Sequence, residues 1–462
     1  MAKKPNLLVI LIDDLRYDEF GAGGHPYMQT PHIDRIAHEG ALFERVFHTT
    51  PICSPNRASI VTGQYASRHG IIDNVAREAA SHRLPNYNLA LQKLGYETAH
   101  IGKWHMGTSG APRPGYDHWI AYDGHGRLND PRLNENGTYV QHQGYVTDIM
   151  NRMATDFINR KHAKPWSLLF AHKAVHPDAE QADDGTAKME GYRVAARHQN
   201  LYKDAIFPKT PNMLPAAEII KQKPAWAESL HLRTLPAARA VLDPLFAGQQ
   251  EEIRLRARMM AAVDEGVGMI FEALERTGQL DNTFIIFLGD NGYFFGEHGL
   301  GPDRRFPYEE GIRSPFTVRF PQRVKAGMRV KDLMICQDIA PTLIELAGGK
   351  PGKHIQGRSF LPLLKNAGRK AGKGWRKSVL IEYWAENAYP WLVGMTYKAV
   401  RTDRYKYIHW VNLSRNGELD ELYDLEKDPY EIANLSKRPA HKAIKAKLQR
   451  ELRRLVPEAL GL

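Results

Sequence analysis

A cysteine stands in the most distinctive short pattern of the sequence, Cys53-Ser54-Pro55-Asn56-Arg57. Pro51 and Pro55 keep the entry to this pattern extended, and residues 58–63 can continue it as a short helix that ends at a glycine. A side chain at a helix N-terminus lies where unpaired N–H groups and the helix dipole favour negative charge. The pattern is compatible with a reactive group at position 53, and equally with a small buried thiol at a turn.

Oxygen-bearing side chains follow two apolar runs of the chain, at 6–12 and 283–288. The four residues are Asp13, Asp14, Asp290 and Asn291. Carboxylate and amide oxygens suit a hard divalent cation, Ca²⁺ or Mg²⁺, whereas zinc prefers His or Cys. Asp-Asp and Asp-Asn-Gly are also ordinary turn sequences, so the prediction of a metal site depends on the fold bringing the two pairs together.

Basic and histidine side chains could surround an anion beside that cation. The candidates are Arg57, Lys103, His105 and His172. Positive charges next to a metal ion stabilise charge that develops on a transferred group, and a histidine can protonate a leaving oxygen. Each residue taken singly is as readily a surface lysine or a hydrogen-bonded histidine. Together they indicate transfer of an anionic group, with residue 53 as the nucleophile.

The elements that carry these residues predict a sheet with its ligands at one edge. Apolar runs typical of strands covered on both faces end at polar residues in four places, 6–12, 98–102, 164–171 and 283–288. Helical patterns lie between them, at 30–40, 88–94 and 253–278. This alternation predicts an α/β fold with a doubly wound, mostly parallel central sheet flanked by helices, which holds ligands at the carboxyl ends of its strands.

The C-terminal part of the chain has a different character. Beyond a Gly/Lys-rich linker at 366–374 come short aromatic strands and a polar helix, which predict a small antiparallel sheet plus one helix. We therefore expect a catalytic α/β domain at 1–373 and a C-terminal α+β subdomain at 374–462. Residues 177–250 carry scattered prolines and weak periodicity, so we expect a loop-rich insertion there.

Composition narrows the range of partners. The 462 residues carry a formal net charge of +11, but no zinc-finger spacing, RNA-binding aromatic motif or long basic tract, so we expect no nucleic-acid partner. A basic surface without a ligand is the simplest interpretation, and an anionic small molecule or polysaccharide is the favoured specific one. No apolar run is long enough to span a bilayer, so we expect no membrane partner. Cys53 and Cys336 do not make a disulfide framework.

The compartment stays open. The start of the chain does not read as a secretion signal with a cleavage site. As written, the chain is expected in the cytoplasm. If an export signal was trimmed before Met1, the protein is expected in the periplasm or outside the cell.

The cysteine pattern resembles the motif of type I sulfatases, members of the alkaline-phosphatase-like superfamily, in which a modifying enzyme oxidises the cysteine to formylglycine. The resemblance continues in order over about 430 residues. The similar segments are Asp13-Asp14, Gly102-Lys103-Trp104-His105, 172–176, Asp290-Asn291-Gly292, 296–300, 308–310 and 423–429. An ordered series of this kind is far more specific than the short cysteine pattern alone.

The resemblance implies a catalytic mechanism. The catalytic residues would be Cys53, Arg57, Lys103, His105 and His172. The ligands of a Ca²⁺ ion, or alternatively Mg²⁺, would be Asp13, Asp14, Asp290, Asn291 and the modified residue 53. Arg57 would hold the modified side chain, His172 would be the general acid beside Lys103, and His105 would assist sulfate release. One hydroxyl of hydrated formylglycine attacks sulfur, and the other collapses to the aldehyde and expels sulfate, whereas serine or cysteine would need a further attack.

The resemblance also bears on substrate binding. The family usually has a lysine before the Tyr-Glu-Glu segment, where this chain has Arg304 and Arg305. Arg304 is the first candidate to replace it, because a guanidinium binds sulfate bidentately, and Arg305 stays an alternative. Similarity to sulfatases of sulfated glycans, particularly N-acetylglucosamine-6-sulfatases, adds Lys173, His176 and His298 as substrate-binding candidates.

Three functions compete at this point. The first is a sulfatase that acts on a sulfated sugar, of glycosaminoglycan or algal type, and that needs a formylglycine-generating or an anaerobic sulfatase-maturating enzyme as partner. The second is a phosphonate or phosphodiester hydrolase on the same scaffold. The third is a non-catalytic protein that binds anionic glycans, which we expect if Cys53 stays unmodified.

Overall fold

A ten-stranded mixed sheet forms the centre of the molecule. The structure, a computed structural model, describes residues 3–228, 246–365, 374–389, 392–413 and 417–456. Within these residues a four-stranded sheet lies near the C-terminus, and two small sheets of two and three strands complete the β structure.

The strands have the following bounds: β1 (Asn6–Ile12), β2 (Ala41–Phe43), β3 (Val46–Phe47), β4 (Glu97–Gly102), β5 (His118–Ala121), β6 (Arg132–Glu135), β7 (Thr138–Gln141), β8 (Trp166–Ala171), β9 (Asp178–Gln181), β10 (Ala187–Gly191), β11 (Thr283–Gly289), β12 (Arg313–Ser314), β13 (Phe316–Arg319), β14 (Met328–Val330), β15 (Met334–Ile335), β16 (Ser378–Tyr383), β17 (Tyr397–Thr402), β18 (Tyr405–Trp410) and β19 (Glu421–Asp424).

The α-helices are α1 (Pro31–His38), α2 (Cys53–Thr62), α3 (Ala66–His69), α4 (Glu78–His82), α5 (Tyr87–Lys93), α6 (Val146–Asn159), α7 (Ala216–Gln222), α8 (Pro224–Glu228), α9 (Phe246–Arg276), α10 (Glu309–Ile312), α11 (Ile339–Leu346), α12 (Leu361–Lys365) and α13 (Lys442–Leu455). Short 3₁₀ turns occur at Gly21–Gly23, Ala196–His198, Leu280–Asn282, Glu297–Gly299, Cys336–Asp338 and Pro439–His441.

The large sheet runs in the order β14-β2-β13-β11-β1-β8-β4-β5-β6-β7. Its central strands, from β11 to β5, are parallel. Antiparallel strands continue the sheet on both sides, β13 beside β11, and β6 and β7 beside β5. The register pairs Ile12 with Gly289 and Leu11 with Ala171, so the carboxyl ends of three neighbouring strands lie at one edge.

Both faces of the central strands are covered. Alternate residues of β1 from Leu7 to Leu11 join a core with α2, α5 and α11, and those from Leu8 to Ile12 join a second core with α1, α6 and α9. A strand buried on both faces needs apolar residues at every position, which explains its unbroken apolar sequence. The structure confirms the predicted α/β sheet flanked by helices.

The C-terminal part is a four-stranded antiparallel sheet, ordered β16-β17-β18-β19. Leu448 and Leu452 of α13 pack against it. The predicted small sheet with one helix is therefore confirmed. Residues 366–373, which hold most of the predicted linker, lie outside the described residues, and the division of the chain at 373 stays a prediction.

The segment predicted as a loop-rich insertion, 177–250, contains more regular structure than its sequence suggested. It forms the hairpin of β9 and β10, the helices α7 and α8, and the first residues of α9. Residues 229–245 lie outside the described residues. Among the residues described, no helix combines the length and apolar character needed to cross a membrane.

Candidate active site

Two acidic segments meet at the carboxyl edge of the large sheet. Asp13 and Asp14 directly follow β1, and Asp290 follows β11, its backbone N–H donating to the Ile12 carbonyl at 3.0 Å. The backbone N–H of Asp14 donates in turn to Oδ1 of Asp290 at 2.9 Å. One ligand atom from each of Asp13, Asp14, Asp290 and Cys53 lies within 4.8 Å of the others, and all four residues are buried. The fold thus brings together the two pairs predicted from the sequence.

Asn291 completes the oxygen-rich cluster. Its amide nitrogen donates to Oδ1 of Asp14 at 2.7 Å, while its amide oxygen is buried and has no hydrogen-bond partner among the described residues. Buried polar atoms are normally satisfied, so this oxygen and the nearby carboxylates fit a hard divalent cation. The residues that would hold such a cation are Asp13, Asp14, Asp290 and Asn291.

The pKa values of Asp13 and Asp290 are shifted in opposite directions within the cluster. Burial and the charge of Asp13 raise the pKa of Asp290 to about 7. Burial also opposes ionisation of Asp13, but the nearby charges of Lys103 and Arg57 outweigh it and hold the pKa of that carboxyl well below its usual value. A divalent cation between them would favour the ionised form of both carboxyls.

Cys53 is the first residue of α2, which ends at Gly63 in the left-handed conformation (φ 68°). Its Sγ lies 3.5 Å from Oδ1 of Asp13 and 3.9 Å from Oδ1 of Asp14. Burial and the negative charge of Asp13 raise the pKa of the thiol well above its usual value. Since the thiolate is the reactive form of cysteine, the unmodified side chain is a poor nucleophile in this position.

Arg57, one turn along α2, connects the two sides of the cluster. Its Nε donates to Oδ2 of Asp290 at 2.7 Å, and its Nη1 donates to the carbonyl oxygen of Lys103. Its Nη2 lies 3.8 Å from Oδ1 of Asp13 and makes no hydrogen bond among the described residues. This nitrogen keeps a donor available at the edge of the carboxylate cluster.

Lys103 follows β4 at the same edge of the sheet. The turn depends on Gly102, because a Cβ there would come within 1.9 Å of the Ala171 carbonyl oxygen. The Lys103 ammonium contacts Oδ2 of Asp13 and lies 3.1 Å from Nδ1 of His125. Its charge therefore faces the carboxylate cluster on one side and a histidine on the other.

His125 is a site residue that was not predicted from the sequence. Its ring lies between two other imidazoles: it is tilted against His105, with centroids 4.2 Å apart, and it stacks on His176, with centroids 4.3 Å apart. His105 is held from behind by Gln181, whose Oε1 lies 2.7 Å from its Nε2. The only sequence signal for His125 was the turn Tyr-Asp-Gly-His-Gly soon after β5.

His176 and Arg304 both face Oδ2 of Asp14, whose Oδ1 faces Cys53. Nδ1 of His176 lies 2.7 Å from the Pro177 carbonyl oxygen, so Nδ1 carries the proton and Nε2 is the acceptor in the neutral ring. Arg304 donates from Nη1 to Oδ2 of Asp14 at 2.9 Å, and its Nη2 lies 3.4 Å from Nε2 of His176. The Nε of Arg304 is buried without a hydrogen-bond partner among the described residues, which leaves a donor for an anion.

Two predicted site residues are not brought into this cluster. His172 packs its ring against Phe170, with centroids 4.3 Å apart, and burial alone lowers its pKa to about 3. His298 stacks on Tyr308 and lies 3.2 Å from a carboxylate oxygen of Glu310. Both imidazoles therefore belong to packed surroundings of their own.

Lys173 lies beside the cluster, whereas Arg305 is engaged by another carboxylate. The Lys173 ammonium donates to the Pro177 carbonyl at 2.8 Å, and burial together with the charge of Lys103 lowers its pKa to about 7. Lys173 is thus a neighbour of the site. Arg305 instead contacts the carboxylate of Glu386, and this ion pair occupies its guanidinium.

A surface cavity of about 260 Å³ opens beside the histidines. His125 and Gln181 form its inner wall, and its outer wall includes Asp123, Arg127 and Arg132. The inner wall is thus the same pair of residues that contacts His105. A ligand in this cavity would lie against the imidazole stack.

Buried carboxylates, convergent cations and a helix N-terminal residue at the carboxyl edge of an α/β sheet define a hydrolase of anionic esters in the alkaline-phosphatase-like superfamily. A family model described as sulfatase matches residues 5–349, and one described as "N-sulphoglucosamine sulphohydrolase, C-terminal" matches residues 296–458. The chain belongs to the sulfatase family and is a sulfuric ester hydrolase.

Known proteins show how the chain relates to this family. It is 30% identical over 514 aligned residues to an N-acetylglucosamine-6-O-sulfatase of Bacteroides thetaiotaomicron, covering 99% of this chain and 86% of that protein. A solved structure in complex with its substrate D-glucosamine-2-N,6-O-disulfate has a TM-score of 0.83 and 28% identity, covering 98% of this chain and 97% of the other. A phosphonate monoester hydrolase of Agrobacterium radiobacter, with a TM-score of 0.76, 22% identity and coverage of 98% and 95%, shares the fold.

Proposed function

We propose that the protein hydrolyses a sulfate ester on a sulfated sugar, with formylglycine made from Cys53 as the nucleophile and Ca²⁺, or alternatively Mg²⁺, as the cation. One observation carries this proposal. Ligand atoms of Asp13, Asp14, Asp290 and Cys53 converge within 4.8 Å at the N-terminus of α2. A sulfuryl group bound there would contact the nucleophile and the cation together.

The protein's own cations position the sulfate. A bound divalent cation would withdraw charge from the sulfate oxygens. The free Nη2 of Arg57 and Nε of Arg304 supply N–H donors on two sides of the cluster, and the ammonium of Lys103 adds a third cation. Charge-assisted hydrogen bonds to an oxyanion are stronger than neutral ones and hold it in one orientation.

We assign protonation of the leaving alcohol to His176, the role that the resemblance gave to His172. In the imidazolium form both ring nitrogens carry a proton, so Nε2 of His176, which faces Arg304 and Asp14, would donate it to the leaving oxygen, whereas the His172 ring packs against Phe170. His105, which contacts Gln181 and packs against His125, keeps the role of assisting sulfate release.

The substrate class rests on the relatives and on the cavity beside His125. A relative that is 30% identical is an N-acetylglucosamine-6-O-sulfatase, and a structural neighbour holds a disulfated glucosamine. In this chain the cavity offers Asp123, Arg127 and Arg132 to polar groups of a sugar. We therefore propose a 6-O-sulfated glucosamine unit as the group that is hydrolysed.

The burial of position 53 supports a proposal for when the residue is modified. The side chain of Cys53 is 0% exposed, so a modifying enzyme cannot reach it in the folded protein. We propose that a formylglycine-generating enzyme or an anaerobic sulfatase-maturating enzyme acts before the chain has folded. The thiol's raised pKa also gives the unmodified protein little nucleophilic reactivity.

The test combines the mass of the peptide that contains residue 53 with a measurement of sulfate release. After co-expression with a maturating enzyme, the tryptic peptide 46–57 should show loss of one sulfur and two hydrogens and gain of one oxygen at residue 53. The matured protein should release sulfate from 6-O-sulfated glucosamine in a panel of sulfated mono- and oligosaccharides, and Cys53→Ala should not. Greater efficiency on aryl phosphates or phosphonates than on aryl sulfates would make it a phosphorus ester hydrolase. Full turnover by Cys53→Ala would end the covalent mechanism.

A further inference from the structure

Two adjoining cavities form a groove along the C-terminal sheet, remote from the reaction centre. Their volumes are about 580 Å³ and about 700 Å³, and they share Lys377, Ser378, Glu451 and Arg454 along their common wall. Tyr65 lines the first cavity and lies two residues beyond Gly63, at the opposite end of α2 from Cys53. A ten-residue helix is about 15 Å long, so a ligand in this groove does not contact residue 53.

The groove carries an excess of free positive charge. Four of its lining residues, Arg358, Lys377, Lys447 and Arg450, are exposed and form no ion pair among the residues that the structure describes. Its two acidic side chains are already paired, Asp403 with Arg45 at 3.1 Å and Glu451 with Arg454 at 2.7 Å. The unpaired cations are spread over both cavities, so they suit a ligand with several negative groups along its length.

Aromatic and apolar side chains add apolar surface to the positively charged groove. Trp375 is half-buried in the first cavity, and its indole N–H donates to the Leu333 carbonyl at 2.8 Å, which fixes the ring. In the second cavity Tyr405, Ile444 and Leu448 form an apolar floor. Fixed apolar faces beside cations match a sugar ring, which has an apolar face and charged substituents at its rim.

We propose that this groove is a second binding site for a sulfated polysaccharide, separate from the reaction centre. Through it the enzyme holds a polymer by segments that are not being hydrolysed, which raises the local concentration of ester groups near the active site. The groove goes beyond the proposed catalytic function, because binding in it needs neither the cation nor modification of Cys53.

The experiment compares two triple charge reversals in the full-length protein. The groove variant is Lys377→Glu/Lys447→Glu/Arg450→Glu. The matched control is Lys161→Glu/Arg323→Glu/Lys325→Glu, which changes two lysines and one arginine that are exposed and form no ion pair among the described residues. These control residues lie beside the start of β8 and the end of β13, at the amino edge of the parallel strands.

Heparin is the probe, with duplex DNA of equal charge as competitor. We expect the groove variant to bind heparin roughly ten- to hundredfold more weakly and to elute from immobilised heparin at lower salt, while the control stays near the original protein. Hydrolysis of a small aryl sulfate should be equal in all three proteins, and thermal unfolding midpoints should show that each is folded.

Equal loss of heparin binding in both variants would overturn the proposal, because net charge alone would then explain it. Binding of DNA at least as tight as heparin, lost in the groove variant, would assign the groove to nucleic acid instead. Absence of aryl sulfate turnover in every protein would contradict the catalytic proposal and leave the heparin comparison as a separate result.

Discussion

Asn291 donates an amide N–H to Oδ1 of Asp14 at 2.7 Å, while its amide oxygen stays buried in the same cluster without a hydrogen-bond partner among the described residues. An unsatisfied buried polar atom costs about 1–3 kcal/mol. A bound cation would satisfy this oxygen. Asn291 therefore allows a test of the metal site that leaves all three carboxylates in place.

We predict that Asn291→Ala weakens Ca²⁺ binding at least about tenfold, because it removes one oxygen ligand and the hydrogen bond that orients Asp14. Calorimetric titration of chelator-treated protein would measure the change. Asn151→Ala is the matched control, since Asn151 is also a buried asparagine whose amide N–H donates to the Ala262 carbonyl and whose amide oxygen has no hydrogen-bond partner among the described residues. Equal Ca²⁺ affinity in both variants would remove Asn291 from the ligands.

Removal of a carboxylate ligand should have a larger effect. Asp13→Ala and Asp290→Ala are each expected to abolish turnover and to weaken metal retention, because each removes a carboxylate ligand from the cluster. Elemental analysis after dialysis measures the bound cation. An unchanged calcium content in either variant would exclude that residue as a ligand.

Two histidines four residues apart have different predicted roles. His176→Phe should lower kcat about 10²- to 10⁴-fold on a sugar sulfate, the usual range for loss of a general acid. The loss should be smaller on an aryl sulfate, whose leaving group needs less protonation. His172→Phe should leave both rates close to the original, since that ring only packs against Phe170. The reverse pattern would return the general-acid role to His172.

Substitutions can also distinguish the roles of Arg304 and Arg305. Arg304 faces the cluster through Asp14, and Arg305 contacts Glu386. Arg304→Ala should lower kcat/KM about 10²-fold or more, because it removes charge-assisted donors to the sulfate. Arg304→Lys should retain part of that activity, since the family usually has a lysine in this segment.

Arg305→Lys is the matched comparison for Arg304→Lys. Arg305→Lys should lower kcat/KM less than Arg304→Lys does, because Arg305 is paired with the carboxylate of Glu386. Steady-state kinetics with an aryl sulfate would measure both. A larger loss in Arg305→Lys than in Arg304→Lys would transfer the sulfate contact to Arg305.

The sequence predicted the buried strands and the residues at their ends, because apolar periodicity and strand pairing determine both. The apolar run 6–12 became β1 with the same bounds, because a strand covered on both faces needs an unbroken apolar sequence. Asp13 and Asp290 met as expected, because the ends of paired parallel strands share an edge. These positions follow from periodicity and topology alone.

Contacts made outside the regular elements could not be predicted in this way. His125 and Gln181 reach His105 from a turn and a hairpin, and no periodic pattern relates these three positions. The choice between His172 and His176 depends on the path of an irregular segment after β8, where strand alternation no longer applies. Such placements depend on tertiary packing, which a single sequence does not display.

The buried histidines predict how stability depends on pH. Burial lowers the pKa of His48 and of His100 to about 3, whereas the unfolded value is about 6.5. Between these values the unfolded chain binds protons that the folded chain does not. Each histidine should therefore contribute full stability above about pH 6.5 and lose it as pH falls toward 3, by roughly 1.4 kcal/mol per pH unit.

His100→Phe tests this dependence and keeps an aromatic ring in an aromatic cluster. The centroid of the His100 ring lies 4.6 Å from that of Trp119 and 5.3 Å from that of Trp104. Between pH 7 and pH 5 the original protein should lose about 2 kcal/mol of unfolding free energy through His100. The variant should lose that much less over the same interval, whatever its stability at pH 7. Urea unfolding at both pH values measures the difference. An equal loss in the two proteins would mean that His100 takes up its proton in the folded state.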